Sequence, residues 1–355
     1  MSAQINREDL VRCLEAIGPG LTPQGRETVE QSSCAIFKDG RVLSFNEEVA
    51  CSAASSLNGT VSGAIQAAPL LEMLKEMPDE QLTVDVRGGE LILIGKNREA
   101  AFSVESEIHL PINGIEKPGK WTRLHVDFAE AISLVHHCAS DDGGKLFEAT
   151  CVHVHPEWVE ACDDHHLCRW TLKTGLKRSC LVRKGAIKHV AGLGMSEVSE
   201  TEGWLHFRNP AGVILSCRRY FEQFPDLAKA FEVKGVKVTL PKGLEAAAKR
   251  AGLASAASTS GRLIHARLSA GKVRIEGVGV GRRYKERKAI KYEGPPIEFL
   301  VAPQLLMDLV KKHTDCRVSK THLKAGDGAY VYVSCLHQPK QDTEAPGTEE
   351  AGGDD

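Results

Sequence analysis

A cluster of residues that can ligate zinc lies near the middle of the sequence. Imidazole, thiolate and carboxylate groups all bind zinc, and the cluster consists of His153, His155, Cys162, Asp163, Asp164, His165, His166 and Cys168. On a strand, His153 and His155 would share one face. The segment lacks the paired cysteine spacing of structural zinc sites, and His165 and His166 lack the i, i+4 spacing of helical ligands. A metal-dependent hydrolase centred on residues 163–166 is therefore an alternative rather than the favoured interpretation.

A second pattern with chemical potential is the glycine series Gly277, Gly279 and Gly281. A dinucleotide-binding loop needs a strand before the glycines and a helix after them. Residues 282–288 are instead strongly basic and carry no apolar helical stripe, so we expect a hairpin with a basic strand, which would serve surface solvation or accessory DNA contact. The sequence also lacks a Gly-x-Ser-x-Gly elbow and a Cys/His spacing for nucleophilic catalysis. We assign no catalytic residue, cofactor or metal, and an enzyme is not favoured.

The composition is that of an ordinary soluble protein. The 355 residues are 42% hydrophobic and 26% charged, with 45 Lys and Arg against 47 Asp and Glu, and this length predicts two or three domains. Six of the acids and a single lysine follow residue 336, which leaves the preceding body slightly basic. Eleven cysteines without a Cys-x-x-Cys pair fit a reducing compartment. The start of the sequence carries no signal-peptide pattern, so we expect a cytoplasmic protein.

Two series of amphipathic helices repeat along the chain with one period. The first series is predicted at residues 7–17, 127–139 and 242–253, and Asp127 is the expected N-cap of its second member. The second series is predicted at residues 67–76, 183–193 and 302–313. Both series repeat after about 118 residues, which indicates three copies of one structural unit.

Alternating apolar and polar segments lie between these helices and predict antiparallel sheets. They cover residues 34–44, 82–94, 152–161, 263–276 and 329–333, with turns at Asp39-Gly40, Gly88-Gly89 and Ala270-Gly271. The fold class is therefore α+β, with three repeats of two helices and antiparallel strands. We place the repeats at residues 1–118, 119–226 and 227–336, followed by a disordered acidic tail at residues 337–355.

Four segments at matching places resemble motifs of the bacterial-type DNA polymerase III β sliding clamp. They are Ala161-Cys162-Asp163-Asp164-His165-His166-Leu167, Phe224-Pro225-Asp226, Phe102-Ser103-Val104, and residues 329–333 before the tail. The order and spacing of the segments carry the resemblance. It spans almost all of residues 1–336 but is remote, as expected of a divergent sliding clamp such as one from a phage.

The resemblance implies a head-to-tail homodimer of six DNA-clamp-like repeats that form a ring. Such a ring has helices on its inner wall and encircles duplex DNA without sequence preference. It tethers a DNA polymerase as a processivity factor and is placed on DNA by a clamp loader, in a bacterial or phage-infected cell.

The resemblance also implies three sets of site residues. Diffuse basic charge on the helices would face DNA phosphates. In the first repeat, five acidic residues on the same helices weaken the case for such a basic surface. This set is Arg7, Arg12, Arg26, Lys75, Lys184, Lys188, Lys249, Arg250, Lys311 and Lys312. A client-peptide pocket between the second and third repeats would be lined by Cys162, His165, His166, Leu167, Leu227, Phe231, Val331 and Val333.

Two positions of this pocket depart from the family's pattern. Two other residues match the positions that close the family's ring. Asp164 replaces the family's glycine and His166 its arginine, so the charge and width of the pocket should differ. Phe102 and Leu253 match the family's dimer contact. A scaffold that binds proteins without encircling DNA is the remaining alternative.

Overall fold

The computed structural model describes residues 3–57, 59–141, 143–255, 263–312, 314–326 and 328–336. The chain divides into two compact units, Met1–Asp226 and Leu227–Asp355. The disorder expected of residues 337–355 lies outside the described residues.

In the part of the chain that is described, the helices are short and few. They are α1 (Arg7–Ala16), α2 (Ala67–Glu76), α3 (Phe128–Val135), α4 (Lys184–Ile187), α5 (His189–Gly192), α6 (Leu244–Ser255) and α7 (Pro303–Lys312). None of the described helices is long and apolar enough to cross a membrane.

Strands make up most of the remaining regular structure. In the first unit they are β1 (Ala3–Asn6), β2 (Cys34–Lys38), β3 (Arg41–Phe45), β4 (Val49–Ala54), β5 (Gly63–Gln66), β6 (Gln81–Arg87), β7 (Glu90–Gly95), β8 (Arg98–Ser103), β9 (Thr122–Arg123), β10 (Cys151–His155), β11 (Trp158–Cys162), β12 (His166–Thr171), β13 (Cys180–Arg183), β14 (Glu197–Glu200), β15 (Trp204–Arg208) and β16 (Ile214–Arg218). In the second unit they are β17 (Val236–Thr239), β18 (Ile264–Ser269), β19 (Lys272–Gly279), β20 (Arg282–Ala289), β21 (Ile297–Val301), β22 (Asp315–Val318), β23 (His322–Ala325) and β24 (Tyr330–Cys335).

The strands of the first unit pair antiparallel in three runs. An eight-stranded sheet has the order β5-β2-β3-β4-β16-β15-β14-β9, and a four-stranded sheet has the order β1-β6-β7-β8. A third run follows the order β13-β10-β11-β12. The pairing of β4 with β16, in which Cys51 lies opposite Leu215, joins strands from the two ends of the unit into one continuous sheet.

The second unit contains two antiparallel runs of strands. One follows the order β24-β23-β22-β17, and the other is a four-stranded sheet with the order β20-β19-β18-β21. Helices α6 and α7 pack against each other, and α6 also packs on β19 and β20. The unit is thus a helix pair on antiparallel strands, which is the α+β arrangement predicted from the sequence.

The helix predictions are confirmed except in the second repeat. Helix α2 begins and ends at the predicted residues, and α1, α6 and α7 agree within two residues at each end. Residues 183–193 form two four-residue helices separated by Lys188 rather than one helix, because Gly185 and Gly192 lower the helical propensity of the segment.

Asp127 is the N-cap residue of α3, as predicted, but its side chain does not cap the helix. Asp127 occupies the cap position with backbone angles of −86° and 3°, and its side chain makes no capping hydrogen bond. An N-cap side chain reaches the helix from an extended backbone, which Asp127 does not have. Its carboxylate lies 3.6 Å from Nδ1 of His125 instead.

The predicted hairpin turns are confirmed, and one glycine has a clear packing role. Asp39 and Gly40 have φ values of 50° and 71°, and Gly88 and Gly89 have 59° and 81°, as type I′ turns require. Residues 277–281 belong to the β19–β20 hairpin, with Gly279 opposite Arg282. A Cβ on Gly277 would lie 1.9 Å from the carbonyl oxygen of Ala251 in α6, so this glycine lets the helix approach the strand.

Candidate DNA-facing, client-binding and edge-strand surfaces

Two of the candidate DNA-facing residues of the first repeat, Arg7 and Lys75, hold two helices together. Arg7 Nη1 donates to the carbonyl oxygen of Leu74 at 2.9 Å, which links α1 to α2. Lys75 Nζ lies 2.6 Å from Glu15 Oε1 and links the same helices. Arg12 is exposed but pairs with Asp9 in its own helix. Much of the basic charge in this repeat is therefore locally neutralised.

In the second repeat, the two candidate lysines have different surroundings. Lys184 is largely buried, and its Nζ donates at 2.8 Å to both the carbonyl oxygen of Ala139 and Oδ2 of Asp141. Lys188 is exposed between α4 and α5. Of the two, Lys188 has the side chain that can reach a phosphate.

In the second unit, three candidates are described, and two of them are paired with carboxylates. Arg250 donates at 2.6 Å to Oε2 of Glu286, while hydrogen bonds from Tyr284 and Arg250 lower the pKa of Glu286 to about 2. Lys311 Nζ lies 3.4 Å from Glu245 Oε1.

Three candidate residues keep their charge available. Arg26, Lys188 and Lys249 are exposed, and none of them lies within ion-pair distance of a carboxylate in the described ranges. Lys312 belongs to α7, but its side chain is outside the described residues. The assignment of all ten residues to a DNA-facing surface stays a prediction.

The first half of the predicted client pocket is a tight turn between β11 and β12. Asp163 Oδ1 accepts hydrogen bonds from the backbone N–H groups of His165 and His166 at 2.8 and 2.9 Å. It also lies 2.5 Å from Nδ1 of His166. Burial opposes ionisation of Asp163, but these hydrogen bonds, above all that of the His166 side chain, lower its pKa.

The turn presents side chains of different exposure. His165 and Asp164 are exposed, whereas Cys162, His166 and Leu167 are half-buried. Asp164 pairs with Lys145. Burial raises the pKa of the Cys162 thiol to about 12, so this thiol is protonated at neutral pH and is not an activated nucleophile.

The second half of the predicted pocket lies in the second unit. Leu227 is buried and Phe231 is half-buried, and the carbonyl oxygen of Phe231 accepts a hydrogen bond from Lys324 Nζ at 2.6 Å. Val331 is half-buried, whereas Val333 is only 2% exposed. A pocket that combines residues of both units stays a prediction.

One histidine of the candidate zinc cluster, His153, binds a buried carboxylate instead. Glu160 is 2% exposed and accepts hydrogen bonds at 2.8 Å from His153 Nδ1, Trp158 Nε1 and Arg169 Nε. Burial works against the charge of Glu160, yet these donors lower its pKa. His155 stacks on Trp158 with ring centroids 3.5 Å apart.

These contacts give the zinc hypothesis no support. Within the described ranges, no group of three or more His, Cys, Asp or Glu side chains is placed to hold a metal ion. Nothing in the arrangement around residues 163–166 favours a metal-dependent hydrolase.

Each unit has a strand edge that could accept another chain. Among the described strands of their sheets, β8 pairs with β7 alone and β20 with β19 alone. Phe102 lies in β8 and is half-buried. Leu253, near the end of α6, is 64% exposed, and Val278 and Val280 on the β19–β20 hairpin are also exposed. Unpaired edges and exposed apolar side chains are typical of interaction surfaces.

The strand register also aligns basic residues that the sequence analysis missed. Lys237 in β17 lies opposite Arg317 in β22, and Arg317 lies opposite Lys324 in β23. Lys237 is far from the other two residues in the sequence, and the spacing of Arg317 and Lys324 matches no motif. Only the register of the paired strands brings these three residues together.

Comparisons with known proteins agree with this architecture. No family model matches the sequence. No curated protein matches it either. Solved structures do match: the DNA polymerase III subunit beta from Pseudomonas aeruginosa has a TM-score of 0.74 and 16% identity, with 96% of this chain and 100% of that chain covered.

Two further structures give the same result. The DNA polymerase III beta chain from Streptococcus pneumoniae has a TM-score of 0.79 and 14% identity, and 95% of this chain and 100% of that chain are covered. The beta subunit from Thermotoga maritima has a TM-score of 0.77 and 14% identity, with coverage of 95% and 99%.

Because the matches span nearly the whole of both chains, this chain has the sliding-clamp fold. The solved structures that share it are β subunits of DNA polymerase III, and the α+β clamp-like fold predicted from the sequence is confirmed. Identities of 14–16% establish common architecture.

Proposed function

We propose that this protein is a DNA sliding clamp, a ring that encircles duplex DNA and tethers a replicative DNA polymerase as a processivity factor. The observation that carries the proposal is the match of 95–96% of the chain to DNA polymerase III β subunits. Such a protein acts by topology and needs no catalytic residue, so the function is not enzymatic. Its partners are duplex DNA, the polymerase, a clamp loader and a second copy of the chain.

Three clamp repeats at residues 1–118, 119–226 and 227–336 are the proposed division of the chain. Helices α1, α2, α6 and α7 agree with their predicted bounds, and α3 begins one residue after its predicted start, which supports this periodicity. Two copies of the chain would supply the six repeats of a ring, and the head-to-tail contact would join the first repeat of one copy to the third repeat of the other.

The edges of β8 and β20 support this contact. Strand β20 carries five basic residues and one acid, Glu286, whereas Glu99, Glu105 and Glu107 lie in or just after β8. Antiparallel addition of β8 to β20 would satisfy the backbone groups of both edges, and opposite charges would favour that pairing. Phe102 and Leu253 are the proposed apolar contacts.

Weak, sequence-independent contact with DNA fits the charges on the helices. A sliding ring needs phosphate contacts without base-edge hydrogen bonds. Arg26, Lys188 and Lys249 are the strongest candidates for these contacts because they are exposed and unpaired within the described residues.

The residues of the proposed client pocket come from the β11–β12 turn, from residues 227–231 and from β24. Leu167, Phe231 and Val331 are half-buried apolar side chains, as a site for the aliphatic and aromatic anchors of a short peptide requires. A replication clamp of this kind acts in the cytoplasm of a bacterial or phage-infected cell.

Electron microscopy of the purified protein without DNA tests the proposal directly. We expect particles with twice the 38.6 kDa mass of one chain, six similar lobes and a central hole wide enough for duplex DNA. Compact particles without a hole would contradict the clamp function and leave the scaffold alternative.

A further inference from the structure

A row of like charges crosses the sheet of the second unit. Lys237, Arg317 and Lys324 lie directly opposite one another on β17, β22 and β23. Directly opposite residues share one face of a sheet. Their neighbours Val238, Cys316 and Leu323 are buried, so alternation places the three charged side chains on the solvent face.

The row borders a cavity of about 420 Å³ with a basic lining. Lys291 and Thr239 line the same cavity, and Asp315 is the single acid among the lining residues. Asp315 Oδ1 accepts a hydrogen bond from Thr239 Oγ1 at 2.6 Å. Four cationic side chains therefore surround a space with one carboxylate.

The positive charges of the row are not neutralised within the described residues. Lys324 Nζ donates to the carbonyl oxygen of Phe231 at 2.6 Å, and Arg317 Nη1 lies 3.5 Å from that of Gly235. No described carboxylate lies within ion-pair distance of the four cationic side chains. Like charges directly opposite each other destabilise a sheet, so an anionic group bound in the cavity would relieve a cost that the unit otherwise carries.

We propose that this basic surface binds the acidic segment at residues 342–355 of the same chain. The segment contains Asp342, Glu344, Glu349, Glu350, Asp354 and Asp355, and no basic residue. Its charge is complementary to that of the cavity. The proposal stands independently of the clamp function, because it rests on the charges and register of the second unit.

The connection between the sheet and the segment is long enough. Leu336 follows β24, and its backbone N–H donates to Thr321 at 2.8 Å, just before β23. The row lies about 10 Å back along the strands from this point, and its farthest member, Lys237 on β17, is three strand spacings, or about 14 Å, from β24. Six residues reach up to about 20 Å, so Asp342 can reach every member of the row.

Binding of this kind is electrostatic and should be reversible. Lys237, Lys291 and Arg317 are exposed, so salt at about 0.5 M should weaken the contact strongly. The segment would shield the row at low salt and expose it when an acidic partner competes.

Carbodiimide cross-linking of the full chain, followed by mass spectrometry, tests the proposal. At low salt we expect amide cross-links from carboxylates of residues 342–355 to Lys237, Lys291 and Lys324. The variant R317Q removes one charge of the row but no reactive amine, and we expect it to lower the yield about two- to fivefold. High salt should lower the yield in the unchanged protein as well.

The matched control is R123Q, which neutralises an exposed arginine on β9 of the first unit that does not line the cavity. It should leave the yield unchanged, and an unchanged melting temperature should show that both variants are folded. Equal yields in R317Q and the unchanged protein, or cross-links spread evenly over Lys242, Lys249 and Lys272, would overturn the proposal.

Two further outcomes would reassign the surface to another occupant and so refute the proposal. In a mixture of unlabelled and ¹⁵N-labelled chains, cross-links between light and heavy peptides would place the segment of a second copy in the cavity. Binding of a labelled single-stranded oligonucleotide that R317Q abolishes, without cross-links to the segment, would make the row a nucleic-acid site.

Discussion

Lys75 in α2 pairs with Glu15 in α1 across 2.6 Å, so the basic residue of one helix is neutralised by the helix packed beside it. Lys311 in α7 and Glu245 in α6 repeat this relationship in the second unit at 3.4 Å. These side chains are about half exposed. The helices thus carry less free positive charge than the count of lysines and arginines indicates.

Releasing Lys75 should strengthen DNA binding. We expect E15Q to raise the affinity for a short duplex at low salt, because the freed ammonium group can reach a phosphate. The stability should change by less than about 1 kcal/mol, as is usual for exposed pairs. Fluorescence anisotropy with labelled duplex measures the affinity. E72Q removes an exposed acid of α2 without breaking this pair, and an equal effect of both variants would contradict a role for the pair.

The unpaired lysines should dominate the salt dependence of DNA binding. We expect the double variant K188Q/K249Q to reduce the slope of log affinity against log salt by about 2, since each phosphate contact contributes about 0.9. The control variant K242Q/K272Q makes the same charge change at other exposed positions. A slope that falls equally in both variants would rule out a specific DNA-facing role.

The exposed Leu253 should stabilise the contact between copies. Because it is 64% exposed, L253S should leave the folded chain intact while weakening dimerisation about tenfold, which corresponds to about 1.4 kcal/mol. Analytical ultracentrifugation measures the dimer dissociation constant. M73S changes another exposed apolar side chain, on α2, and should have no effect; a dimer unaffected by L253S would remove Leu253 from the interface.

The client pocket is best tested at half-buried positions. Charged substitutions L167D and V331D should abolish polymerase processivity while preserving the ring, because an apolar peptide anchor would meet a carboxylate. Val333 is 2% exposed, so a charge there would unfold the chain rather than test the pocket. Primer extension on a long template gives the readout, and V126D at an 87% exposed position is the control. Normal processivity in L167D and V331D would refute the assignment.

Acid should destabilise the first unit through His206. This residue is fully buried, with Nδ1 2.8 Å from Ser216 Oγ and Nε2 3.2 Å from Thr201 Oγ1. Burial lowers its pKa to about 4, while the unfolded chain keeps a value near 6.5. The unfolded state therefore binds more protons between these values, and stability falls as the pH drops from about 6.5 to about 4.

The loss from His206 should reach about 3 kcal/mol near pH 4. Urea unfolding at a series of pH values measures it. In H206N this part of the pH dependence should disappear, whereas replacement of the exposed His125 by Asn should preserve it. An H206N variant with the same pH dependence as the unchanged protein would disprove the role of His206.

The sequence by itself determined most of the helices, the hairpin turns and the α+β class. Residues 67–76 carry an apolar stripe and form α2 at the predicted bounds, because helical periodicity is local and covers whole turns. Asp39-Gly40 and Gly88-Gly89 mark their hairpins because few residues adopt a positive φ at low cost. The order and spacing of four segments resemble those of the sliding clamp, and this resemblance predicted the fold even though no local motif was diagnostic.

Only the tertiary structure decided which charges are free and which residues are neighbours. In the sequence, Lys75 and Lys184 look like exposed lysines on helices. In the structure, Lys75 pairs with Glu15, and Lys184 donates to the carbonyl oxygen of Ala139 and to Asp141. His153 has the residue type of a metal ligand, but the β10–β11 register places it opposite Glu160. Lys237, Arg317 and Lys324 form a row because three strands align them. Partners that are distant in sequence are fixed by strand register and helix packing, and a periodic pattern in one segment carries no information about either.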